Sequence, residues 1–160
     1  MTPSEYQNPI LCADYSDPDI VRVGDDFFMV SSSFNHVPAL PILHSTDLVN
    51  WTIINHVMDE LPLPGYDRYQ PGKGVWAPSI RWHDGKLWVC FSTPDEGIFI
   101  CHTEDPWGKW SAPHCLREAR GWIDPCPFWD DNGQAWLVHA FAHSRSGIKH
   151  KLQLFAMAPD

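Results

Sequence analysis

The sequence has few basic residues and no long apolar run. Its 160 residues include 11 lysines and arginines against 20 aspartates and glutamates, giving a formal net charge of −9. Phosphate backbones and anionic lipid surfaces repel such a protein, which argues against a nucleic-acid partner and against a membrane partner. No apolar run approaches the roughly 20 residues that a membrane-spanning helix needs.

The N-terminal stretch lacks the basic segment and apolar core of a signal peptide. The sequence therefore predicts a cytoplasmic protein, or a secreted or periplasmic one if the true N-terminus is missing. The cysteines fit neither a disulfide framework nor a zinc site, because they are odd in number and include no C-x-x-C pair. We expect free, mostly buried thiols in a reducing compartment at Cys12, Cys90, Cys101, Cys115 and Cys126.

Sustained helical periodicity is also missing, whereas aromatic residues and prolines are abundant. The chain has 9 Trp, 8 Phe, 4 Tyr and 15 Pro. Proline interrupts helices, so prolines scattered between short apolar runs favour strands joined by tight turns. We expect no helix longer than a single turn.

One segment of the chain occurs three times. The copies read "SDPDIVRVGDDFFMVSS" from Ser16, "WAPSIRWHDGKLWVCFS" from Trp76 and "IDPCPFWDDNGQAWLVHAF" from Ile123. Each has a proline, a short strand, a turn of Gly with Asp or Asn, and an apolar strand, which is the pattern of a β-hairpin. A second element with His, Asp and Trp recurs between the hairpins, from Leu43 and from Cys101.

Each repeat unit holds about four short strands in roughly fifty residues, which indicates a β-propeller blade. The sequence thus predicts an all-β protein with blades at about 15–57, 75–116 and 122–160. The third blade is incomplete, because the repeat aligns the final residue, Asp160, with Asp47 and Asp105 at the start of the last strands. Since propellers generally need at least four blades to close, we expect the N-terminal part of a single longer propeller domain.

The repeat assigns Asp17, Ala77 and Asp124 to the same position, at the start of the innermost strand of each blade. Such residues face the central channel, so two carboxylates from different blades should converge. Paired carboxylates in an aromatic pocket predict glycoside hydrolysis, with one acid protonating the leaving oxygen and the other activating water or attacking carbon. A purely structural role stays open, because Asp-Pro is also a favoured turn dipeptide. Trp76 and Phe34 are candidate stacking surfaces for a sugar ring.

These motifs, together with "NPIL", "LPILHSTDLVNW" and "GVWAPSIRWHDGKLWV", resemble glycoside hydrolase family 43, the β-xylosidases and α-L-arabinofuranosidases. The resemblance implies a five-bladed propeller, of which about the first two and a half to three blades are present. It also implies inverting hydrolysis of terminal xylosyl or arabinofuranosyl residues of plant polysaccharides or oligosaccharides. Asp17 would be the general base, and Asp124 would tune the pKa of the general acid and orient it. Trp76, Phe34 and Ala77 would line the sugar pocket.

The general acid implied by the resemblance is a glutamate of a later blade, in a Glu-Gly-Pro context. No glutamate of the chain has that context, so we expect the chain alone to be inactive; the five are Glu5, Glu60, Glu96, Glu104 and Glu118. No cofactor is expected, although the family's complete propellers often hold a structural calcium ion in the channel. The oligomeric state is left open.

Two other functions remain open. A retaining hydrolase of the invertase type would use the early aspartate as nucleophile, but such enzymes resemble "NDPNG" where this chain has "SDPDI". A non-catalytic carbohydrate-binding propeller, or an inert remnant without its acid, would need no later glutamate. His139 and His143 have the spacing of a helical metal site, but they lie in or after a strand with no glutamate between them, which favours packing or loop roles. The "DDNG" at 130–133 lacks the alternating ligands and closing glutamate of a calcium loop, which favours a hairpin turn.

Two loops carry further candidates. The Pro- and Gly-rich segment 58–74 is long for a connection between blades, and its Tyr66, Arg68 and Tyr69 could shape the pocket entrance. The basic loop 143–151 contains Arg145, which could meet a sugar hydroxyl or solvent.

Overall fold

The computed structural model describes residues 5–158, which form three antiparallel sheets. Within each sheet, strands that follow one another in the chain are hydrogen-bonded neighbours. The first sheet contains β1 (Asp19–Val23), β2 (Asp26–Val30), β3 (Ala39–Ser45) and β4 (Thr52–Met58). The second contains β5 (Trp76–His83), β6 (Lys86–Thr93), β7 (Gly97–Thr103) and β8 (His114–Glu118). The third contains β9 (Trp122–Trp129), β10 (Ala135–Phe141) and β11 (Gln153–Met157).

The predicted all-β propeller architecture is confirmed by these sheets. The helix α1 (His143–Ser146) is a single turn, and no helix among residues 5–158 is long and apolar enough to cross a membrane. Asp47 and Asp105 lie in the turns before β4 and β8, and not at the strand starts as predicted, because their carboxylates accept backbone N–H groups of those turns. Asp160 lies outside the described residues.

The hairpin turns form where the sequence predicts them. Gly24 (φ +64°) turns the first hairpin, and Gly133 (φ +77°) turns the third. In the second hairpin both Asp84 (φ +47°) and Gly85 (φ +73°) are left-handed, as the twist of a two-residue hairpin requires.

The hydrophobic core lies between successive sheets, and β6 is buried on both faces. Side chains alternate along a strand, so Val89 and Phe91 join the core between the first and second sheets, whereas Cys90 joins the core towards the third. Cys90 and Cys101 are buried, Cys115 and Cys126 are partly buried, and Cys12 is exposed. All five are free thiols, as expected.

Polar contacts tie the three inner strands β1, β5 and β9 together. The Ser79 hydroxyl of β5 donates to the Pro125 carbonyl of β9 at 2.7 Å. Arg81 of β5 pairs with Asp19 of β1 at 2.6 Å and reaches the Cys126 sulfur of β9 at 2.8 Å. These bonds fix the relative positions of the strands whose first residues build the candidate site.

We predict that Gly74→Ala destabilises the fold by about 3 kcal/mol through steric overlap. Residues Ser33 and Val75 form the bridge between the first two sheets, and a Cβ on Gly74 would lie only 2.7 Å from the Phe34 carbonyl oxygen. Gly85→Ala is the matched control. It would meet no atom within 4 Å and should cost only about 1 kcal/mol for its left-handed backbone. Equal losses in urea unfolding would contradict this account.

Candidate active site

The same irregularity occurs near the starts of β5 and β9 and directly before β1. There, an aspartate or alanine and the following proline lie opposite a single residue of the neighbouring strand, which is the geometry of a β-bulge. A bulge re-aims a side chain that would otherwise follow the alternation of the strand. The bulged pairs are Asp17–Pro18 opposite Ser31, Ala77–Pro78 opposite Phe91, and Asp124–Pro125 opposite His139.

Backbone conformation distinguishes the two aspartates from the alanine. Asp17 has φ +50° and Asp124 has φ +54°, and Ala77 does not share this left-handed conformation. A non-glycine residue at positive φ costs free energy and persists only where the surrounding structure enforces it. The repeat therefore holds two carboxylates, from the first and third blades, in the same strained geometry.

The two carboxylates have different surroundings. Ser32 donates its hydroxyl to Asp17 Oδ2 at 2.8 Å, which fixes the orientation of that side chain. Asp124 is accessible to solvent, yet the surrounding protein desolvates its carboxyl and raises its pKa, and the nearby charge of Asp17 raises that pKa further. The Asp17 charge therefore acts on Asp124 across two blades.

Phe34 and Trp76 meet at one edge of the site. Their ring centroids are 5.9 Å apart and their planes are inclined at 73°, an edge-to-face contact. The Trp76 indole N–H donates to the Gly72 carbonyl at 3.0 Å, and the Gly72 N–H donates to Asn35 Oδ1 at 2.6 Å. The structure thus brings the two predicted aromatic residues together, with partly buried Ala77 next to Trp76 in the chain.

The segment 58–74 forms a cavity of about 260 Å³ beside Phe34. Tyr66, Arg68 and Tyr69 line it together with the loop after β2. Neither Trp76 nor the two aspartates line this cavity. Tyr66, Arg68 and Tyr69 therefore shape a space beside the carboxylates and not the space between them.

Two contributors were not identified from the sequence. Ser32 lies in the "SSS" run, whose only visible feature is its place after β2. Asp95 lies in the turn between β6 and β7 and forms ion pairs with three basic side chains, one of which is Arg145. Because these contacts join segments far apart in the chain, the sequence carries no local signal for them.

The candidate metal-binding residues of the sequence lie apart from one another. Within residues 5–158 no three His, Cys, Asp or Glu side chains are grouped so that they could hold a metal ion. His139 is buried and stacked on Trp122 with ring centroids 4.1 Å apart, whereas His143 is exposed at the start of α1. Asp130 Oδ1 accepts the backbone N–H groups of its own hairpin turn.

Comparisons with known proteins identify the family of the chain. The model of the family "Glycosyl hydrolases family 43" matches residues 6–160, and the chain belongs to this family. A xylosidase/arabinosidase of Butyrivibrio fibrisolvens is 42% identical over 137 residues, which are 82% of this chain and 26% of that protein. A non-reducing-end α-L-arabinofuranosidase of Bacteroides ovatus is 38% identical over 127 residues, covering 75% of this chain and 23% of that protein.

A solved structure gives the same result for the fold. The xylan β-1,4-xylosidase of Bacillus halodurans superposes with a TM-score of 0.80 at 30% identity, covering 96% of this chain and 31% of that one. The chain spans about a quarter of the length of the curated relatives it matches.

We predict that Asp124→Asn stabilises the fold at neutral pH. Because the folded-state pKa of Asp124 is raised, ionisation disfavours the folded state, and the free energy of unfolding falls as pH rises from the unfolded pKa through the folded one. Asparagine stays neutral, so the advantage of the variant should be absent at low pH, grow across that interval, and then stay constant. Urea unfolding at a series of pH values measures this.

Asp130→Asn is the control with the opposite sign. Hydrogen bonds from the Trp136 indole and from backbone N–H groups lower the pKa of Asp130. The ionised carboxylate therefore adds to the free energy of unfolding above the pKa of the unfolded state, and this stabilisation is lost as pH falls through the folded-state pKa. This variant should therefore be less stable than the wild type at neutral pH. A pH-independent effect of Asp124→Asn would contradict the assignment.

Proposed function

We propose that the chain supplies the general base and the pKa-tuning carboxylate of an inverting glycoside hydrolase. The observation that carries this proposal is the pair of strained, bulged Asp-Pro sites in the first and third blades. Desolvation, and after it the charge of Asp17, raises the pKa of Asp124. Such a pair fits a reaction in which one carboxyl activates water and another group protonates the leaving oxygen.

Asp17 takes the role of the base. It accepts a proton from a water molecule as the water oxygen bonds to the anomeric carbon and the glycosidic C–O bond breaks. The Ser32 hydroxyl bonds Asp17 Oδ2 at 2.8 Å, leaving Oδ1 for the water. In inverting enzymes the base and the acid stand about 6.5–9.5 Å apart, which leaves room for that water.

Asp124 takes the role of tuning the acid. A carboxylate near the general acid raises the acid's pKa by like-charge repulsion, so the acid stays protonated near neutral pH. The proton donor is a glutamate supplied by the remainder of the propeller, in line with the short span of this chain against its relatives.

The substrate is a terminal xylosyl or arabinofuranosyl residue of a plant oligosaccharide or polysaccharide. The names of the relatives, which include both xylosidases and arabinofuranosidases, support this class. Trp76 and Phe34 offer a compact aromatic corner, suited to the apolar face of a small sugar ring. The two pentosyl groups present similar hydroxyls, so both substrates belong in the assay.

We predict that Asp17→Asn in the full-length protein lowers kcat by about 10²–10⁴-fold, with KM little changed, because proton acceptance is lost while the sugar contacts remain. Initial rates on aryl xylosides and aryl arabinofuranosides measure this. Asp25→Asn is the control, since Asp25 is fully exposed in the turn at the other end of β1 and should leave kcat unchanged.

Product stereochemistry separates the proposed mechanism from a retaining one. Proton NMR during early turnover of a β-xyloside should show α-xylose first, before mutarotation. A first product of retained configuration would make Asp17 a nucleophile. Sugar binding without turnover of either substrate would overturn the hydrolase assignment and favour a carbohydrate-binding propeller.

A further inference from the structure

The tight turn between β6 and β7 is contacted by segments from both sides. The Gly121 N–H donates to the Pro94 carbonyl at 2.8 Å, and the Ala119 N–H donates to the Glu96 carbonyl at 3.0 Å. From the segment between the first two blades, the Tyr66 hydroxyl donates to Glu96 Oε2 at 2.9 Å. The turn is thus a meeting point for the segments around the candidate site.

Asp95, in the middle of this turn, pairs with three cations. Its carboxylate lies 3.2 Å from Arg120 Nε, 3.7 Å from Arg145 Nε and 3.9 Å from Lys73 Nζ. The three cations differ in exposure, since the Arg120 side chain is 69% exposed, Lys73 44% and Arg145 only 25%. Exposed pairs contribute little to stability, so Arg145 is the partner with a distinct environment.

Arg145 owes that environment to Trp76. Its guanidinium carbon lies 5.2 Å from the centroid of the Trp76 ring, within cation–π range. The same ring is met edge-to-face by Phe34 and is held through its indole N–H by Gly72. Three contacts from three segments therefore fix one aromatic side chain, and Asp95 fixes the cation among them.

The helix that carries Arg145 is itself held close to the turn. The Ala142 N–H donates to the Gly121 carbonyl at 2.8 Å. A Cβ on Gly121 would lie 2.9 Å from the Ser146 Cβ, so glycine at this position permits the close approach of α1. Arg145 of the third blade thereby contacts the Trp76 ring of the second blade.

We propose that Arg145, oriented by Asp95, is a positioning residue that fixes the Trp76 ring for sugar binding. This inference rests on the proposed function for its second half, the contact between Trp76 and a pentosyl ring. Arg145 occupies one approach to the indole, so a sugar uses the ring surface that the guanidinium leaves free. Arg145 is thus assigned to the ring's support and not to a sugar hydroxyl.

The first test measures the ring in this chain without any substrate. Hydrogen exchange of the Trp76 indole N–H, assigned by its loss in Trp76→Phe, should be about fivefold faster in Arg145→Met, in proportion to a cation–π contact of moderate strength. Asp95→Asn should change it in the same direction. Arg120→Met is the matched control, because Arg120 shares Asp95 but is directed to solvent, and it should leave the exchange rate unchanged.

The Trp88 indole N–H, which donates to the His83 carbonyl in the same blade, is the internal reference. Unchanged Trp88 exchange in Arg145→Met shows that the effect is local to Trp76. Faster exchange at both indoles would mean general loosening of the blade and would overturn the inference. An unchanged Trp76 rate in Arg145→Met, or an equal change in Arg120→Met, would overturn it as well.

The second test uses the full-length protein and its aryl glycosides. Arg145→Met should raise KM about fivefold with kcat within twofold, because the support of Trp76 acts equally on bound substrate and transition state. A fall in kcat at constant KM would overturn the assignment to sugar binding. If the full-length wild type shows no hydrolysis, the proposed function fails, whereas the indole exchange still decides whether Arg145 positions Trp76.

Discussion

The bulge at the start of each inner strand is the constraint on which the candidate site depends. A proline in the bulge removes one backbone donor, and the two residues opposite a single partner turn the preceding side chain out of the regular alternation. In the first and third blades that side chain is an aspartate at positive φ. Each bulge has paired residues of the same sheet before and after it, so the surrounding strand pairing maintains the strained backbone of both aspartates.

Contacts between blades hold the inner strands, and with them the two aspartates, in fixed relative positions. Arg81 joins Asp19 of the first inner strand to Cys126 of the third, and Ser79 bonds the carbonyl of Pro125, within the third bulge. The spacing between the two carboxylates is therefore set by the inner strands. Trp76 of the aromatic corner begins the inner strand β5, whereas Phe34 and the support at the β6–β7 turn come from connecting segments.

Much of the fold could be predicted from the sequence because its determinants are local. Proline, turns of Gly with Asp or Asn, and alternating apolar residues recur in each hairpin. Aligning these repeats was enough to assign Asp17 and Asp124 to the same position in their blades. The prediction that Asp47 and Asp105 begin the last strands was wrong, because both carboxylates accept hydrogen bonds within the preceding turns. In the sequence, an aspartate in such a turn cannot be told from one at a strand start. The contacts of Asp95 and Arg145 depend on which segments meet in space, 50 residues apart, and no local pattern encodes them.

The most direct test of the central claim is the titration of Asp124 itself. With aspartate carboxyl carbons labelled with ¹³C, and the resonance assigned by Asp124→Asn, NMR gives its pKa in the wild type and in Asp17→Asn. The account predicts a pKa above the ordinary range for aspartate, and a lower value once the charge of Asp17 is removed. An unshifted pKa, or one that does not respond to Asp17→Asn, would mean that the two carboxylates do not form a pair.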